Sequence, residues 1–208
     1  DEEGARFAAG CIGSGVFSGV RDLHQALSLR DADSVSVAEA LLEIGYGGPH
    51  PVGGFPVQAY FEAHIEQGPI LESEKRIIGA VVGAQGQRCF MITVTGEDGH
   101  AGTLPMAKRR DAFVGTAKMT VALSALASTY QPAAVITIGH VRVLPNSRNT
   151  VPGKTVFTID SRHPASDVLQ QMEVDMLGIC EEIAKGDGLE VQVEVVTRAE
   201  PVRFDDTC

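Results

Sequence analysis

Four segments in the second half of the chain are rich in apolar residues, and their side chains alternate between two faces most clearly in the first and the last segment. Such alternation places successive side chains on opposite faces and predicts β-strands with one buried face. The four segments are QRCFMITVTGE (87–97), AAVITIGHVRVL (133–144), KTVFTIDSRH (154–163) and LEVQVEVVTR (189–198).

Two longer segments between these strands have helical periodicity. The first predicts a helix from about Met106 to Ala127, with Pro105 tolerated at its first turn. The second predicts a helix capped by Ser166 that continues to about Lys185, where glycines end it. The resulting order of strand, helix, two strands, helix and strand predicts a mixed α/β (α+β) sandwich of the ferredoxin-like type.

The first part of the chain has weaker patterns. Residues 4–35 are rich in glycine and irregular, and Ser36 with Glu39 forms a capping box for a short helix. Two further segments predict strands, because their apolar residues alternate or run together: AYFEAHIEQGPILE (59–72) and RIIGAVVGAQG (76–86). The second is a plausible crossing between domains.

The helix after Pro105 carries no charge between Met119 and Ala127. A helix that lies on a sheet needs only one apolar stripe, so an apolar outer face indicates a second cover. That cover is interpreted as another subunit in a homodimer. Neutral surface residues without a partner remain the alternative.

Composition restricts the classes of partner. The 208 residues carry a formal net charge of -10, and 44% of them are hydrophobic. This charge argues against binding to nucleic acid or to an anionic membrane and leaves small molecules and proteins. No apolar stretch is judged long and uncharged enough to span a bilayer. Four scattered cysteines without a CxxC pair indicate a reducing, cytoplasmic location.

Candidate chemistry in the first part centres on His64. On a strand, His64 would share one face with Glu62 and Glu66, and such groups are costly to bury without a partner. Three acids, Asp1-Glu2-Glu3, open the sequence, and adjacent carboxylates can divide cation binding from proton transfer. A half-exposed strand and a solvated terminus are the alternative interpretations.

The second part carries three more candidates. His100 lies in the glycine-containing loop GEDGHAGTLPM and could donate to a developing oxyanion. Asn149 in PNSRNTVPG could bind a substrate through its amide, with Asn146 as a competitor. Arg162 could grip a substrate carboxylate, or it could simply pair with Asp160.

Two cations lie at the start of the helix predicted from about Met106. Arg109 and Arg110 are placed by the prediction in its first turn, where the helix dipole disfavours positive charge. Their expected role is therefore a tertiary ion pair, with Asp111 as a nearby partner.

Several motifs together resemble one family. DEEGARF, GSGVFSG, AYFEAHIEQGPILE, TGEDGHAGTLPMAKRRDA, PNSRNTVPG and FTIDSRHP are similar, in this order, to blocks of N-carbamoyl-L-amino acid hydrolases and β-ureidopropionases. These enzymes are relatives of allantoate amidohydrolases in the M20 metallopeptidase-like group. The resemblance extends from residue 1 to about Arg203.

The resemblance implies a binuclear hydrolase that holds two divalent ions, Zn or Mn, and acts on a small substrate with a carboxylate. It implies a role for each matching residue, as follows: Glu2 as general base, Glu3 and His64 as metal ligands, His100 as support for the oxyanion, and Gln67, Asn149 and Arg162 as substrate contacts.

The resemblance also implies a domain plan. Residues 1–83 would belong to a zinc-peptidase-like catalytic domain, 84–197 would form a lid or dimerisation domain, and 198–208 would return to the catalytic domain. Further metal ligands of the family are expected outside these 208 residues, so this piece is predicted to be inactive alone. Allantoate amidohydrolysis and a non-catalytic dimerisation module are the alternatives.

Overall fold

The computed structural model describes residues 4–7 and 9–208 of the chain. These residues divide into two compact units, with the division between Ile65 and Glu66. The predicted domain boundaries at 83/84 and 197/198 differ from this division and stay predictions.

The first unit consists of short helices and loops. The helices are α1 (Ile12–Phe17), α2 (Leu23–Ser28) and α3 (Val37–Glu43). The predicted capping box is confirmed, since the Ser36 hydroxyl accepts the Glu39 N–H and the Glu39 carboxylate accepts the Ser36 N–H at 2.7 Å. A small apolar cluster joins the helices: Phe7, Ile12, Ala26, Val37 and Ala40.

The second unit contains the remaining helices and all named strands. They are α4 (Ile70–Ser73), β1 (Gly83–Ala84), β2 (Gly86–Thr95), β3 (Gly99–His100), α5 (Ala112–Leu126), β4 (Val135–Thr137), β5 (Val141–Leu144), β6 (Thr150–Val151), β7 (Lys154–His163), α6 (Ser166–Asp187), β8 (Glu190–Ala199) and β9 (Val202–Arg203). Short 3₁₀ helices lie at Met106–Lys108 and Ala127–Tyr130.

The main sheet is antiparallel, with β2 between β7 and β8 and with β4 and β5 both on the far side of β7. This order and the two helices confirm the predicted ferredoxin-like arrangement. Alternate residues of β2 and β7 are buried with α5 and α6 in one core, which includes Phe90, Ile92, Phe157, Met119 and Leu123. The mixed α/β class is therefore confirmed.

A buried cation joins β2 to the second helix. The Arg88 side chain is only 3% exposed and bonds Glu173 on α6 at 3.1 Å and Glu200 after β8 at 2.5 Å. It also donates to the carbonyls of Gln87 and Ala199. These contacts satisfy a charge that would otherwise be costly to bury.

The predicted start of the first helix and the predicted cap of the second are wrong, although the second helix does begin at Ser166. The first helix begins at Ala112 instead of Met106, because Asp111 accepts the N–H groups of Phe113 and Val114 as its N-cap. Ser166 does not cap α6; its hydroxyl donates to Glu200 instead. The predicted stop is confirmed, with Gly188 in the left-handed conformation at φ 67°.

Three strand predictions also need correction. Residues 59–66 form no strand and are exposed, and of RIIGAVVGAQG only Gly83–Ala84 and the final Gly86 are in strands. The segment 133–144 contains two strands, β4 and β5, which are separated near His140. Alternation alone cannot supply the neighbouring strand that makes an extended segment a sheet element.

Candidate functional site

The structure brings His100 and Asn149 together. β3 pairs with β6 so that His100 lies opposite Thr150, and the N–H of Ala101 donates to the Asn149 carbonyl at 2.9 Å. Both side chains are exposed. Two loops that are about 50 residues apart in sequence thus present an imidazole and an amide at one edge of the second unit.

The His100 ring has a defined hydrogen-bonding state. The backbone N–H of Gly102 donates to His100 Nδ1 at 3.1 Å. A backbone N–H can only donate, so Nδ1 accepts and the proton of the neutral ring is on Nε2. His100 therefore presents an N–H donor away from its own loop, as support of an oxyanion requires.

Asn149 is held through one end of its amide. Its Oδ1 accepts the Ser147 hydroxyl at 2.8 Å, so within the described residues the NH₂ end remains to donate to a ligand. The competing Asn146 has φ 60°, a backbone conformation that asparagine tolerates better than most residues. Asn146 thus has a local conformational reason for its presence.

Arg162 forms the ion pair that was the alternative interpretation. Its Nε and Nη2 donate to the two carboxylate oxygens of Asp160 at 3.0 and 3.2 Å, and Gln87 also donates to Asp160 at 2.6 Å. The hydrogen bonds to Asp160 raise the pKa of the Arg162 guanidinium. The Arg162 side chain is still 52% exposed, so the pair leaves part of the guanidinium open to a ligand.

Arg162 lies far from His100. Gly153 lies next to the start of β7. Its carbonyl accepts the N–H of Gly96, and its N–H donates to the carboxylate of Asp98, so the His100 loop lies at that end of the sheet. From Lys154 to Arg162 β7 extends about 26 Å at roughly 3.3 Å per residue. Within one chain, the His100–Asn149 pair and Arg162 therefore occupy opposite ends of the sheet.

Two further predicted site residues, His64 and Gln67, are close in sequence to the division between Ile65 and Glu66. His64 is exposed, and its Nδ1 is 2.6 Å from the carbonyl of Ile65. If Nδ1–H donates there, Nε2 has the free lone pair that a metal ligand needs. Gln67 is exposed with φ 52°, and Glu66 accepts the N–H groups of Ile70 and Leu71 at the start of α4.

The metal site is not assembled by these residues. Glu2 and Glu3 lie outside the described residues, and no group of three or more His, Cys, Asp or Glu side chains gathers within 4–7 and 9–208. A closed zinc site needs three or four protein ligands. Of the two predicted metal ligands, His64 is the one within the described residues, so these residues do not by themselves fit two metal ions, and the roles assigned to the site residues stay predictions.

The prediction for Arg109 and Arg110 is wrong. Both precede α5, and both donate to backbone carbonyls: Arg109 to Ala101 and Leu104, and Arg110 to Gly188 at 2.6 Å. Asp111 is the helix cap instead of an ion-pair partner. Sequence reasoning therefore missed that Arg109 contacts the His100 loop, and the cation ahead of the helix was the available signal.

The outer face of α5 forms an open apolar groove. Phe113, Val114 and Val121 are 45%, 44% and 71% exposed, and the groove also includes Ala117, Lys118, Ala122 and Ala125. By length and composition Ala112–Tyr130 could cross a membrane, so the sequence-based exclusion of such a stretch was too strong. The opposite side of the helix is part of the core, which makes α5 a layer of the sandwich.

Comparison with known proteins identifies the relatives of this chain. Residues 82–188, about half of the chain, match the peptidase dimerisation domain of the M20 group. The N-carbamoyl-L-amino-acid amidohydrolase of Rhizobium meliloti is 41% identical over 99% of this chain and 49% of the relative. The allantoate amidohydrolase of Bacillus subtilis (strain 168) is 33% identical over 99% of this chain and 50% of the relative.

A solved structure supports the same relationship. An amidase of the hydantoinase/carbamoylase family from Burkholderia vietnamiensis superposes with a TM-score of 0.87 at 43% identity, covering 100% of this chain and 50% of that one. The chain thus spans about half the length of the curated relatives it matches. From the matched domain and these relatives together, we conclude that the chain belongs to the M20 peptidase family that carries this dimerisation domain.

Proposed function

We propose that this chain is part of a metal-dependent amidohydrolase that cleaves the carbamoyl C–N bond of N-carbamoyl-L-amino acids or N-carbamoyl-β-alanine. The similarity to enzymes named N-carbamoyl-L-amino-acid amidohydrolase supports the reaction class. The observation that carries the proposal is the Nε2–H donor of His100 on a loop whose backbone is hydrogen-bonded to that of Asn149.

Each described site residue would make a distinct contribution. His100 would donate Nε2–H to the oxygen that becomes negative when the ureido carbonyl is attacked. Asn149 would orient the substrate through its amide N–H groups. Arg162 would bind the substrate carboxylate with two parallel hydrogen bonds, sharing its guanidinium with Asp160 or exchanging partners.

We extend the proposal to two divalent ions, Zn or Mn, with His64 and Glu3 among their ligands and Glu2 as the proton acceptor. The hydrogen bond of the His64 ring to a backbone carbonyl supports a ligand role for the other nitrogen. When bound, such ions supply a water of lowered pKa and polarise the carbonyl. The remaining ligands would come from chain beyond these 208 residues, and Gln67 would face the substrate.

The separation of Arg162 from His100 supports an active site shared by two subunits. The carbamoyl carbon and the carboxyl carbon of an N-carbamoyl α-amino acid are only three bonds of about 1.5 Å apart. A gap of about 26 Å along β7 is too wide for one such molecule to bridge. His100 and Asn149 of one subunit would therefore act with Arg162 of another.

The outer face of α5 is the surface proposed for this homodimer. A dimerisation domain matches this region, and the exposed apolar groove on α5 suits burial against a second copy. Introducing a charge by Val121→Asp should convert the dimer to a monomer in light scattering. Val20→Asp, at an exposed position of the first unit, is the control, and a Val121→Asp protein that remains dimeric would exclude this surface.

The reaction is tested with the full-length enzyme. We expect turnover of an N-carbamoyl-L-amino acid when divalent metal is present, loss of turnover with a chelator, and a drop of about 10²–10³-fold in kcat for His100→Ala. The 208-residue chain should be inactive alone. Turnover of allantoate but not of carbamoyl amino acids would favour the second candidate, which the similarity to allantoate amidohydrolases supports.

Two further proposals stay with this function. A cytoplasmic location suits the four free thiols of the described chain, and a small carboxylate-bearing substrate suits the net charge of -10 better than nucleic acid or an anionic membrane does.

A purely structural dimerisation module would show no turnover and would keep its association after alanine substitution of His64.

A further inference from the structure

We propose that Arg109 is a positioning residue that holds the His100 loop in the conformation needed for oxyanion support. This inference rests on the proposed function for its catalytic meaning. Arg109 Nη2 donates to the Ala101 carbonyl at 2.7 Å, and Nε donates to the Leu104 carbonyl at 3.1 Å. The guanidinium thus binds the residue directly after His100 and the residue three positions further on.

The two carbonyls belong to a tight turn that begins at His100. The N–H of Leu104 donates to the His100 carbonyl at 3.1 Å and closes this turn, and the N–H of Gly102 inside it donates to the His100 ring. The hydrogen bond from Gly102 to the His100 ring, which fixes the tautomer, therefore depends on the shape of this turn. Arg109 stabilises that shape by binding the carbonyls of Ala101 and Leu104.

The turn is also packed from its other side. A methyl group placed on Gly99 would overlap the Leu104 side chain, so Leu104 lies directly against the backbone that precedes His100. Arg109 binds the carbonyl of the same Leu104. The contacts of one half-buried arginine, Arg109, and of Leu104 therefore connect the backbone before, within and after the turn at His100.

Arginine is the residue that suits this geometry. Its planar guanidinium presents several donors in fixed directions, whereas a lysine ammonium is a point charge on a flexible stem. Both of its acceptors here are neutral backbone carbonyls, so charge pairing is not what these contacts provide. Arg109→Lys keeps the charge and should lose the simultaneous grip on two carbonyls.

The proposal is tested by NMR of the 208-residue chain. In the unmodified chain we expect a scalar coupling across the hydrogen bond from the Gly102 nitrogen to His100 Nδ1, and slow exchange of the Leu104 amide proton. Arg109→Lys and Arg109→Gln should lose the coupling and speed the exchange. The control, Lys108→Gln, changes the neighbouring exposed cation and should preserve both signals.

Kinetics of the full-length enzyme provide the second readout. Arg109→Lys should lower kcat by up to about 10²-fold, as for a misplacement of about 1 Å, with little change in KM, because the carboxylate anchor is elsewhere. Unchanged coupling and exchange in Arg109→Lys would overturn the proposal whatever the activity. If the unmodified enzyme cleaves no carbamoyl substrate but the NMR signals depend on Arg109, the proposed function fails while the positioning role stands. Should Arg109→Gln unfold, Arg109→Lys alone decides.

Discussion

Mixing two inactive variants should restore activity if the active site is shared between subunits. His100→Ala removes the oxyanion donor from one end of the dimerisation domain, and Arg162→Ala removes the carboxylate anchor from the other end. The two positions are separated by β7, about 26 Å between Lys154 and Arg162. Each homodimer of a single variant has the same defect at both of its sites.

The size of the recovery follows from symmetry. In a hybrid of the two variants, one site receives both substitutions and the other receives the intact His100 with the intact Arg162. Random association makes about half of the dimers hybrids, and half of the sites in each hybrid are intact. The mixture should therefore reach about one quarter of the activity of the unmodified enzyme, against the roughly 10²–10³-fold loss in kcat expected for His100→Ala alone.

The assay uses co-expressed full-length variants that carry two different affinity tags. Turnover of an N-carbamoyl-L-amino acid is measured for the unfractionated mixture and for hybrids purified through both tags, which should reach about one half of the activity of the unmodified enzyme because one of their two sites is intact. A hybrid of His100→Ala with Asn149→Ala is the matched control, because these two residues lie at the same end and every site would have one defect. If the His100→Ala and Arg162→Ala hybrid is as inactive as its parents, the separation argument is refuted.

Three further predictions concern stability and thiol chemistry. Leu123→Ala should lower the free energy of unfolding by about 2–5 kcal/mol in urea denaturation, because Leu123 is fully buried, whereas Val174→Ala at an exposed position of α6 should stay within about 0.5 kcal/mol. Arg88→Met should cost about 3 kcal/mol by the same measurement, at the lower end of the range for breaking a buried pair, because one of its two carboxylates is 57% exposed; a value near zero would contradict the burial argument. Burial raises the pKa of the Cys180 thiol to about 12, so at pH 8 a thiol reagent should modify the exposed Cys208 in the folded chain and modify Cys180 only after unfolding; prompt reaction of Cys180 would contradict its burial.

The order of elements in the dimerisation domain could be predicted from the sequence. The predicted first, third and fourth strands recur as β2, β7 and β8. In β2 and β7 one buried face imposes a period of two on the side chains, whereas β8 is mostly exposed. The glycine at the end of α6 and the capping box of α3 were readable for a similar reason, since both signals act within a few residues.

Contacts between distant residues could not be read in this way. Asp111 caps α5 through contacts with residues two and three positions later, which a local rule can describe. Ser166 instead donates to Glu200, a partner that no local rule identifies. The segment around His64 alternates like a strand, yet strand formation requires a hydrogen-bonding neighbour, and the described residues provide none for it.

The same distinction applies to the candidate site. Sequence by itself indicated His100, Asn149 and Arg162 as residues with suitable chemistry. Only the tertiary structure determined that β3 and β6 bring the first two together, that Arg162 pairs with Asp160, and that the length of β7 keeps it from His100. The reason is physical: the type of a side chain sets what it can bind, whereas strand pairing fixes the distance between side chains that are far apart in the chain.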